Sequence, residues 1–208
     1  MSWVAVVPVK GNPGAKSRLA DLPERAALAD AFALDTVAAL VAASTVERVF
    51  VVTGDERLAP LLAHLGAVIV REKRTPVDSL NSAIEQGVAA ARQACPAANV
   101  AVLTGDLPAL LGSEVESALA LGAVHPRSMV PDAGGAGTTT LLALAGVPFV
   151  PRFGPGSRRA HEAAGHVPLN IPPSASIRRD VDTPADLDAA RARGLGRFTR
   201  ALVEGADA

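Results

Sequence analysis

The chain has 208 residues, enough for one hydrophobic core of ordinary size, and a formal net charge of -1. A charge this close to zero excludes the strong basic field of proteins that bind nucleic acids or anionic membranes. Only 3% of the residues are aromatic, so stacking platforms for single-stranded bases are not expected. Cys95 is the lone cysteine, and no stretch approaches the roughly 18 apolar residues of a membrane span. We therefore expect a single domain over residues 1–208 in the cytoplasm, with no nucleic-acid or membrane partner.

Strands and helices alternate through the first half of the chain. Continuous β-branched runs predict buried strands, and apolar residues at helical spacing predict the helices between them. The predicted strands are Trp3–Val9, Val46–Thr53, Ala67–Val70 and Val100–Leu103; the predicted helices are Pro23–Ala43, Glu56–Leu65 and Asp78–Ala94. This alternation predicts an α/β fold with a mostly parallel sheet and helices on both of its faces.

The second half of the chain is less regular. It offers two short strands around a glycine-rich turn, Ser128–Val130 and Thr138–Leu144, and a short helix, Ser157–Ala164. A better helix covers Thr183–Arg193, because Thr183 suits the N-cap and Pro184 the first helical position. The segment Leu195–Glu204 is a candidate docking helix whose partner the sequence does not identify.

The segment VPVKGNPGAKSRL, which begins at Val7, resembles a phosphate-binding P-loop but does not match its spacing. In a P-loop the second glycine directly precedes the lysine, whereas here Ala15 separates Gly14 from Lys16. The segment still follows the first strand, at the sheet edge where ligands bind in α/β proteins. Lys10, Lys16 and Arg18 place three cations there, which suits a polyphosphate. The alternative is a solvated surface loop with scattered charges.

Aspartates stand at two separated positions that suit a hard metal ion. Asp106 ends a predicted buried strand in LTGDLP, while Asp180 and Asp182 occupy alternate positions of the extended DVDTPADL segment and so share a face. Asp106 has an ordinary alternative as a turn residue. Two like charges on one face repel unless a cation lies near them. Together with the basic loop, the three aspartates predict a magnesium–nucleotide site.

A third candidate site lies in FGPGSRRAHE, where a glycine-rich turn opens a helix. Arg158 and Arg159 fall in the first helical turn, where cations are unfavourable unless an anion binds. The backbone after Gly154 and the Ser157 hydroxyl could contact such an anion, whereas in the alternative both arginines point to solvent. The Thr138–Thr140 run fits either an edge strand or a polar contact to a small substrate.

These segments, taken in order, resemble a known family. The chain is similar to the phosphoenolpyruvate and 2-phospho-L-lactate guanylyltransferases of coenzyme F420 biosynthesis. The similar motifs are VPVK…KSRL, LNSAI..G, LTGDLPAL, PD..G.GTTTL, FGPGS and DVDTPADL. The resemblance implies a nucleotidyltransferase fold of the glycosyltransferase-A type, with a mixed, mostly parallel central sheet and a Rossmann-like N-terminal half. It also implies that GMP passes from GTP to a small phosphorylated acid, here phosphoenolpyruvate, with release of pyrophosphate.

The same resemblance implies roles for individual residues. Magnesium would be held by Asp106 and Asp182, with Asp180 a possible third ligand, and catalysis would use Asp106, Asp182 and Lys16. The remaining assignments are phosphoenolpyruvate at Thr139, Gly154, Ser157 and Arg158, and the nucleotide at Lys10, Gly14, Lys16, Arg18 and Asn81. The product is expected to pass to a downstream transferase of the pathway.

Four alternatives stay open at this stage. The acceptor could be 2-phospho-L-lactate or 3-phosphoglycerate, which differ from phosphoenolpyruvate by few atoms. The enzyme could be a molybdopterin-type guanylyltransferase, although those usually open with a glycine-rich LAGG-type loop and this chain has VPVK. The chain could also be a non-catalytic nucleotide-binding module, but such a module would not be expected to keep both Asp106 and Asp182.

Overall fold

The computed structural model describes residues 2–10, 25–73 and 80–205, and within these ranges the strands form one mixed sheet. The strands are β1 (Trp3–Pro8), β2 (Val46–Thr53), β3 (Val68–Arg71), β4 (Asn99–Leu103), β5 (Arg127–Pro131), β6 (Thr138–Ala143) and β7 (Val167–Pro168). Their spatial order is β3-β2-β1-β4-β6-β5-β7. All neighbouring pairs are parallel except β4 with β6 and β5 with β6. The predicted mixed, mostly parallel sheet is confirmed.

Helices cover both faces of this sheet. They are α1 (Arg25–Ala42), α2 (Ala59–His64), α3 (Leu80–Ala94), α4 (Gly112–Gly122), α5 (Ser157–Ala163), α6 (Pro184–Arg191) and α7 (Arg197–Gly205), with a short 3-10 helix at Ser176–Arg178. One core cluster packs α1, α2 and α4 on one face, and a second packs α3 on the other. None of the helices in the described ranges has the length and apolar character needed to cross a bilayer.

The sheet is buried because its central strands are almost wholly apolar. Every residue of β1 and β4 is buried, as the continuous β-branched runs predict. The structure extends β4 back to Asn99 and places β3 at Val68–Arg71, one residue beyond its predicted range. The first two residues of each of the predicted helices Pro23–Ala43 and Asp78–Ala94 lie outside the described residues.

Three elements have no counterpart in the sequence-based prediction: helix α4, strand β7 and the short 3-10 helix Ser176–Arg178. Helix α4 follows Asp106 closely, and its buried residues Val115, Ala118, Leu119 and Gly122 recur at helical spacing. That spacing was a usable signal. Strand β7 has only two residues and both are exposed, so it had no apolar pattern to reveal it.

The predicted docking helix packs against α1. Asp35, buried within α1, accepts hydrogen bonds from the backbone N–H groups of Phe198 (3.0 Å) and Thr199 (2.8 Å) in the first turn of α7. A carboxylate at this position satisfies N–H groups that have no partner within the helix. The close approach depends on Gly196, because a Cβ there would lie 2.2 Å from the Asp35 carboxyl carbon.

Helix α3 approaches the sheet closely at Gly87. A Cβ at this position would lie 2.5 Å from a methyl carbon of Val52 and 2.5 Å from one of Val6. Gly87→Ala is therefore expected to lower the free energy of unfolding by about 1–3 kcal/mol, although alanine is the better helix former. Urea denaturation measures this effect. Gly205→Ala is the matched control, because no atom of the residues that the structure describes lies within 4 Å of its added Cβ. Equal stability of the two variants would contradict the packing argument.

Candidate active site

Three carboxylates meet at the carboxyl edge of the sheet. Asp106 follows β4, while Asp180 and Asp182 belong to the extended segment between the 3-10 helix and α6. One carboxylate oxygen from each of the three lies within 4.8 Å of the others, and all three side chains are half-buried. This convergence, which the sequence predicted, supplies the oxygen donors that Mg²⁺ prefers. The residues present therefore fit a hard divalent cation.

Backbone hydrogen bonds tie the two acidic segments together. The N–H of Val181, between the two aspartates, donates to the carbonyl oxygen of Asp106 at 3.0 Å. On the other side of Asp106, the N–H of Leu107 donates to the hydroxyl of buried Thr36 at 3.0 Å. Asp106 is thus held from α1 on one side and, on the other, from residues Asp180–Asp182, which we call the DVD segment. Such support keeps a metal-ligating carboxylate in place before any ligand binds.

The DVD segment is also fixed at its C-terminal end. Thr183 caps α6 by accepting a hydrogen bond from the Asp186 N–H, and Asp186 accepts one from the Thr183 N–H. The Asp186 carboxylate further accepts from the Asp182 N–H at 3.2 Å. The predicted Thr183 N-cap is therefore confirmed, and the same cap orients the backbone of Asp182.

A cavity of about 280 Å³ opens beside Asp106, at the carboxyl ends of β1 and β4. This is the sheet edge at which α/β proteins bind ligands. Lys10, which follows β1, lines this cavity. Its Nζ lies 3.5 Å from the Glu72 Oε1. The cavity is lined by Pro8, Val9, Lys10, Ala29, Phe32, Ala33, Leu80, Thr104, Gly105 and Asp106. Lys10 and Asp106, one member of the carboxylate cluster, therefore border the same cavity.

The other predicted residues of the opening loop lie outside the described residues. Gly14, Lys16 and Arg18 fall in the range 11–24, so their assignment to the nucleotide stays a prediction. Of the predicted nucleotide residues, the structure places Lys10 and Asn81. Asn81 lies in the first turn of α3, directly after Leu80 of the cavity wall.

The Asn81 amide makes two hydrogen bonds to a single distant residue. Its Nδ2 donates to the Phe153 carbonyl oxygen at 3.0 Å, and its Oδ1 accepts from the Phe153 N–H at 2.8 Å. Within the described part of the chain, this leaves one amide hydrogen and one lone pair for further contacts. The structure thus places Asn81 against the segment that leads into the FGPGS turn.

The FGPGS turn itself has an unusual backbone. Gly154 has φ 136° and Gly156 has φ 71°, a region that favours glycine, and no atom of the described residues beyond the adjoining ones lies within 4 Å of a Cβ built at either position. Ser157 is buried, and its N–H donates to the Gly154 carbonyl oxygen at 3.0 Å. The two glycines therefore leave the surface of the turn open for close approach by a ligand.

Arg158 and Arg159 border a cavity of about 500 Å³ together with Gly135, Ala136, Gly156 and Glu162. The Arg158 Nε lies 3.0 Å from the Glu162 Oε1, and its Nη1 donates to the Gly135 carbonyl oxygen at 3.1 Å. Glu162 offsets the unfavourable charge of Arg158 in the first turn of α5. The prediction that an anion binds here remains a prediction.

The three threonines of β6 differ in what their hydroxyls contact. Thr139 donates to the Ile177 carbonyl oxygen at 2.6 Å, and the Thr138 Oγ1 lies 2.9 Å from His161 Nδ1. The Thr140 hydroxyl is buried and has no hydrogen-bond partner among the described residues. All three side chains are buried. The assignment of Thr139 to the acceptor is not tested by these contacts.

Two arginines that the sequence-based prediction overlooked lie next to the acidic segment. Arg178 is buried; its Nη1 donates to the Ile171 carbonyl oxygen at 2.6 Å and its Nη2 to that of Asp132 at 2.7 Å. Burial lowers the pKa of Arg178. Arg179 lines a cavity of about 210 Å³ with Asp180 and Asp182. The RRD run directly before Val181 was the available signal for both arginines.

The sequence as a whole matches one family model. Residues 3–204 match the model described as guanylyl transferase CofC like. The chain belongs to this family. It is therefore a nucleotidyltransferase, and the resemblance noted from the motifs is confirmed.

Close relatives agree with this placement. The chain is 48% identical over 205 residues to the phosphoenolpyruvate guanylyltransferase of Thermomonospora curvata, a match that covers 98% of this chain and 89% of the relative. It is 45% identical over 206 residues to the phosphoenolpyruvate guanylyltransferase of Streptomyces coelicolor, covering 98% and 96%. The similarity extends over nearly the whole of both chains.

Solved structures show the same fold at low sequence identity. A protein of Desulfovibrio desulfuricans G20 assigned as a nucleotide-diphospho-sugar transferase superposes with a TM-score of 0.72 at 18% identity, covering 100% of this chain and 96% of that one. The 4-diphosphocytidyl-2C-methyl-D-erythritol synthase superposes with a TM-score of 0.62 at 13% identity, covering 92% and 98%. The predicted glycosyltransferase-A-like nucleotidyltransferase fold is confirmed.

Proposed function

We propose that this chain transfers GMP from GTP to phosphoenolpyruvate, giving enolpyruvyl-diphospho-guanosine and pyrophosphate. The observation that carries the proposal is the convergence of Asp106, Asp180 and Asp182 beside the cavity at the carboxyl ends of β1 and β4. Guanine and phosphoenolpyruvate come from the names of the relatives. The open backbone of the FGPGS turn also suits a small phosphorylated acid as the acceptor.

The reaction requires little acid–base catalysis from the protein. An oxygen of the acceptor phosphate attacks the α-phosphorus of GTP, the bond to the β-phosphate oxygen breaks, and pyrophosphate leaves with that electron pair. The attacking phosphate is already ionised near neutral pH, so no side chain needs to remove a proton. The chain must instead bring two polyanions together and neutralise their charge.

Mg²⁺ fits the carboxylate cluster, and when bound it would supply the positive charge that the α-phosphate and the leaving pyrophosphate require. Asp106 and Asp182 would hold it, with Asp180 as a third ligand. Lys10, together with Gly14, Lys16 and Arg18 of the opening loop, would bind the GTP phosphates, and Asn81 would lie near the nucleotide. Lys16 would act on the leaving group.

The acceptor would bind on the side of the carboxylates away from the proposed GTP site. Thr139, Gly154, Ser157 and Arg158 are its proposed contacts, and the open backbone at Gly154 allows an anion to approach closely. A cation at Arg158 would reduce the repulsion between the acceptor phosphate and the triphosphate. We further propose that the enzyme works in the cytoplasm, in coenzyme F420 biosynthesis, and that a downstream transferase takes up its product.

A pyrophosphate-release assay with GTP and Mg²⁺ tests the function. Phosphoenolpyruvate, 2-phospho-L-lactate and 3-phosphoglycerate are compared as acceptors, and mass spectrometry identifies each nucleotide product. We expect the highest kcat/KM with phosphoenolpyruvate. Turnover that is faster with another acid would reassign the acceptor. No pyrophosphate with any of the three acids would refute the enzymatic proposal.

A further inference from the structure

Arg152 and Phe153, at the start of the FGPGS turn, are held by side chains from two separate helices. From α3, Asn81 bonds both the N–H and the carbonyl oxygen of Phe153, at 2.8 and 3.0 Å. From α5, the His161 Nε2 accepts a hydrogen bond from the Arg152 N–H at 2.8 Å. We call Asn81 and His161 the turn clamp. Together they fix three backbone polar groups of two consecutive residues.

The hydrogen bonds of His161 define the form of its ring. Because Nε2 accepts from a backbone N–H, it carries no proton, and the neutral ring places its proton on Nδ1, which lies 2.9 Å from the Thr138 hydroxyl. The ring is fully buried and packs edge-on against Phe153 with their centroids 5.0 Å apart. Burial also lowers the pKa of His161, which keeps the ring neutral. His161 therefore joins β6, α5 and the 152–153 segment.

The turn needs such anchors because its own backbone is intrinsically flexible. Gly154 and Gly156 have no Cβ to restrict them, and in the described ranges no other part of the chain lies within 4 Å of where one would be. The clamp fixes the residue directly before Gly154. On the far side of the turn, Ser157 begins α5, the same helix that carries His161. The spatial position of the two glycines therefore depends on Asn81 and His161.

We propose that Asn81 and His161 are positioning residues that hold the FGPGS turn in the geometry that binds the phosphorylated acid. This inference rests on the proposed function, because it takes that turn as the acceptor site. Neither side chain needs to touch the acid: Asn81 bonds the backbone of Phe153, and His161 bonds the backbone of Arg152. The alternative is that both residues contribute to stability alone. A kinetic test separates the two, since a small displacement of a substrate-binding backbone lowers turnover efficiency much more than it lowers stability.

Asn81→Ala decides between these alternatives, with Asn99→Ala as its matched control. Asn99 is a buried asparagine that, like half-buried Asn81, accepts a hydrogen bond from a distant backbone N–H, that of Ala145 at 2.9 Å, but it lies at the opposite end of β4 from Asp106. We expect Asn81→Ala to raise KM for the acid by about tenfold, and to raise it by more than the KM for GTP, near which Asn81 is also proposed to lie. Asn99→Ala should leave both constants within about twofold. Equal acid KM values for the two variants would overturn the proposal.

The second member of the clamp is tested in the same way. His161→Asn keeps a donor for Thr138 but loses the acceptor for the Arg152 N–H. His166→Asn removes a neighbouring buried histidine whose ring, among the described residues, hydrogen-bonds the His161 carbonyl oxygen alone, at 3.3 Å. We expect the acid KM to rise with His161→Asn and not with His166→Asn. A rise of the GTP KM alone in either clamp variant would contradict the positioning role.

Hydrogen exchange tests the clamp without any turnover. In the wild-type chain the backbone N–H groups of Arg152 and Phe153 should be protected, and Asn81→Ala should speed exchange at Phe153 by about tenfold while Asn99→Ala does not. Unchanged protection at Phe153 would overturn the clamp even in an active enzyme. Conversely, a wild-type chain that releases no pyrophosphate refutes the proposed function, and hydrogen exchange still reports on the clamp.

Discussion

Asp106→Asn is expected to lower kcat for magnesium-dependent pyrophosphate release by about 100- to 1,000-fold. Asp106 is one of three carboxylates whose oxygens lie within 4.8 Å of one another, and it also borders the cavity beside Lys10. An amide keeps the shape of the side chain but removes the negative charge that attracts a divalent cation. The concentration of Mg²⁺ needed for half-maximal activity should rise as well.

Asp188→Asn is the matched control for this prediction. Asp188 lies on α6, soon after the acidic segment, but its side chain is exposed and is not part of the cluster. The Asp188→Asn variant loses the same charge as Asp106→Asn but keeps all three carboxylates of the cluster. It should therefore keep the wild-type rate and the wild-type response to Mg²⁺. Circular dichroism and a thermal melt establish that both variants fold. Asp106→Asn that folds and turns over at the wild-type rate would show that the metal assignment is wrong.

The N-terminal half of the sheet was predictable because its central strands are continuous apolar runs. The runs from Trp3 and from Val100 are apolar throughout, which is typical of strands buried on both faces, and both strands are buried in the structure. Parallel strands joined by helices then place the residues that follow β1 and β4 at one edge of the sheet. For this reason the sequence alone could predict that Lys10 and Asp106 lie at the same edge of the sheet.

Other parts of the site depend on contacts that no local pattern specifies. The bidentate hydrogen bonding of Asn81 to Phe153 joins residues from different halves of the chain, and an asparagine in the first turn of a helix does not indicate such a partner. The Thr139 hydroxyl donates to the Ile177 carbonyl oxygen, which follows from the packing of the 3-10 helix against β6. The sequence therefore supplied candidates for the site, and tertiary packing decided their contacts.

Acidification is expected to destabilise the fold through His161. Burial of the ring lowers its pKa from 6.5 to about 4, with smaller contributions from the positive charges of His166 and Arg152. In the unfolded chain the ring takes up its proton near pH 6.5, so between that pH and about 4 the unfolded state binds one proton more. This contribution to stability is fully present above about pH 6.5 and is lost progressively as the pH falls toward 4. Its size is on the order of 3 kcal/mol.

Urea denaturation at a series of pH values from about 7 down to 4.5 measures this contribution in the metal-free protein. His161→Asn should be less stable than the wild type at neutral pH, because the Arg152 N–H loses its acceptor, but it should lose less stability on acidification. His64→Asn, which removes an exposed histidine, should keep the wild-type slope. Parallel slopes for the wild type and His161→Asn would mean that the folded protein accommodates the protonated ring. The Arg152 N–H could not then depend on Nε2, because a protonated nitrogen cannot accept its hydrogen bond.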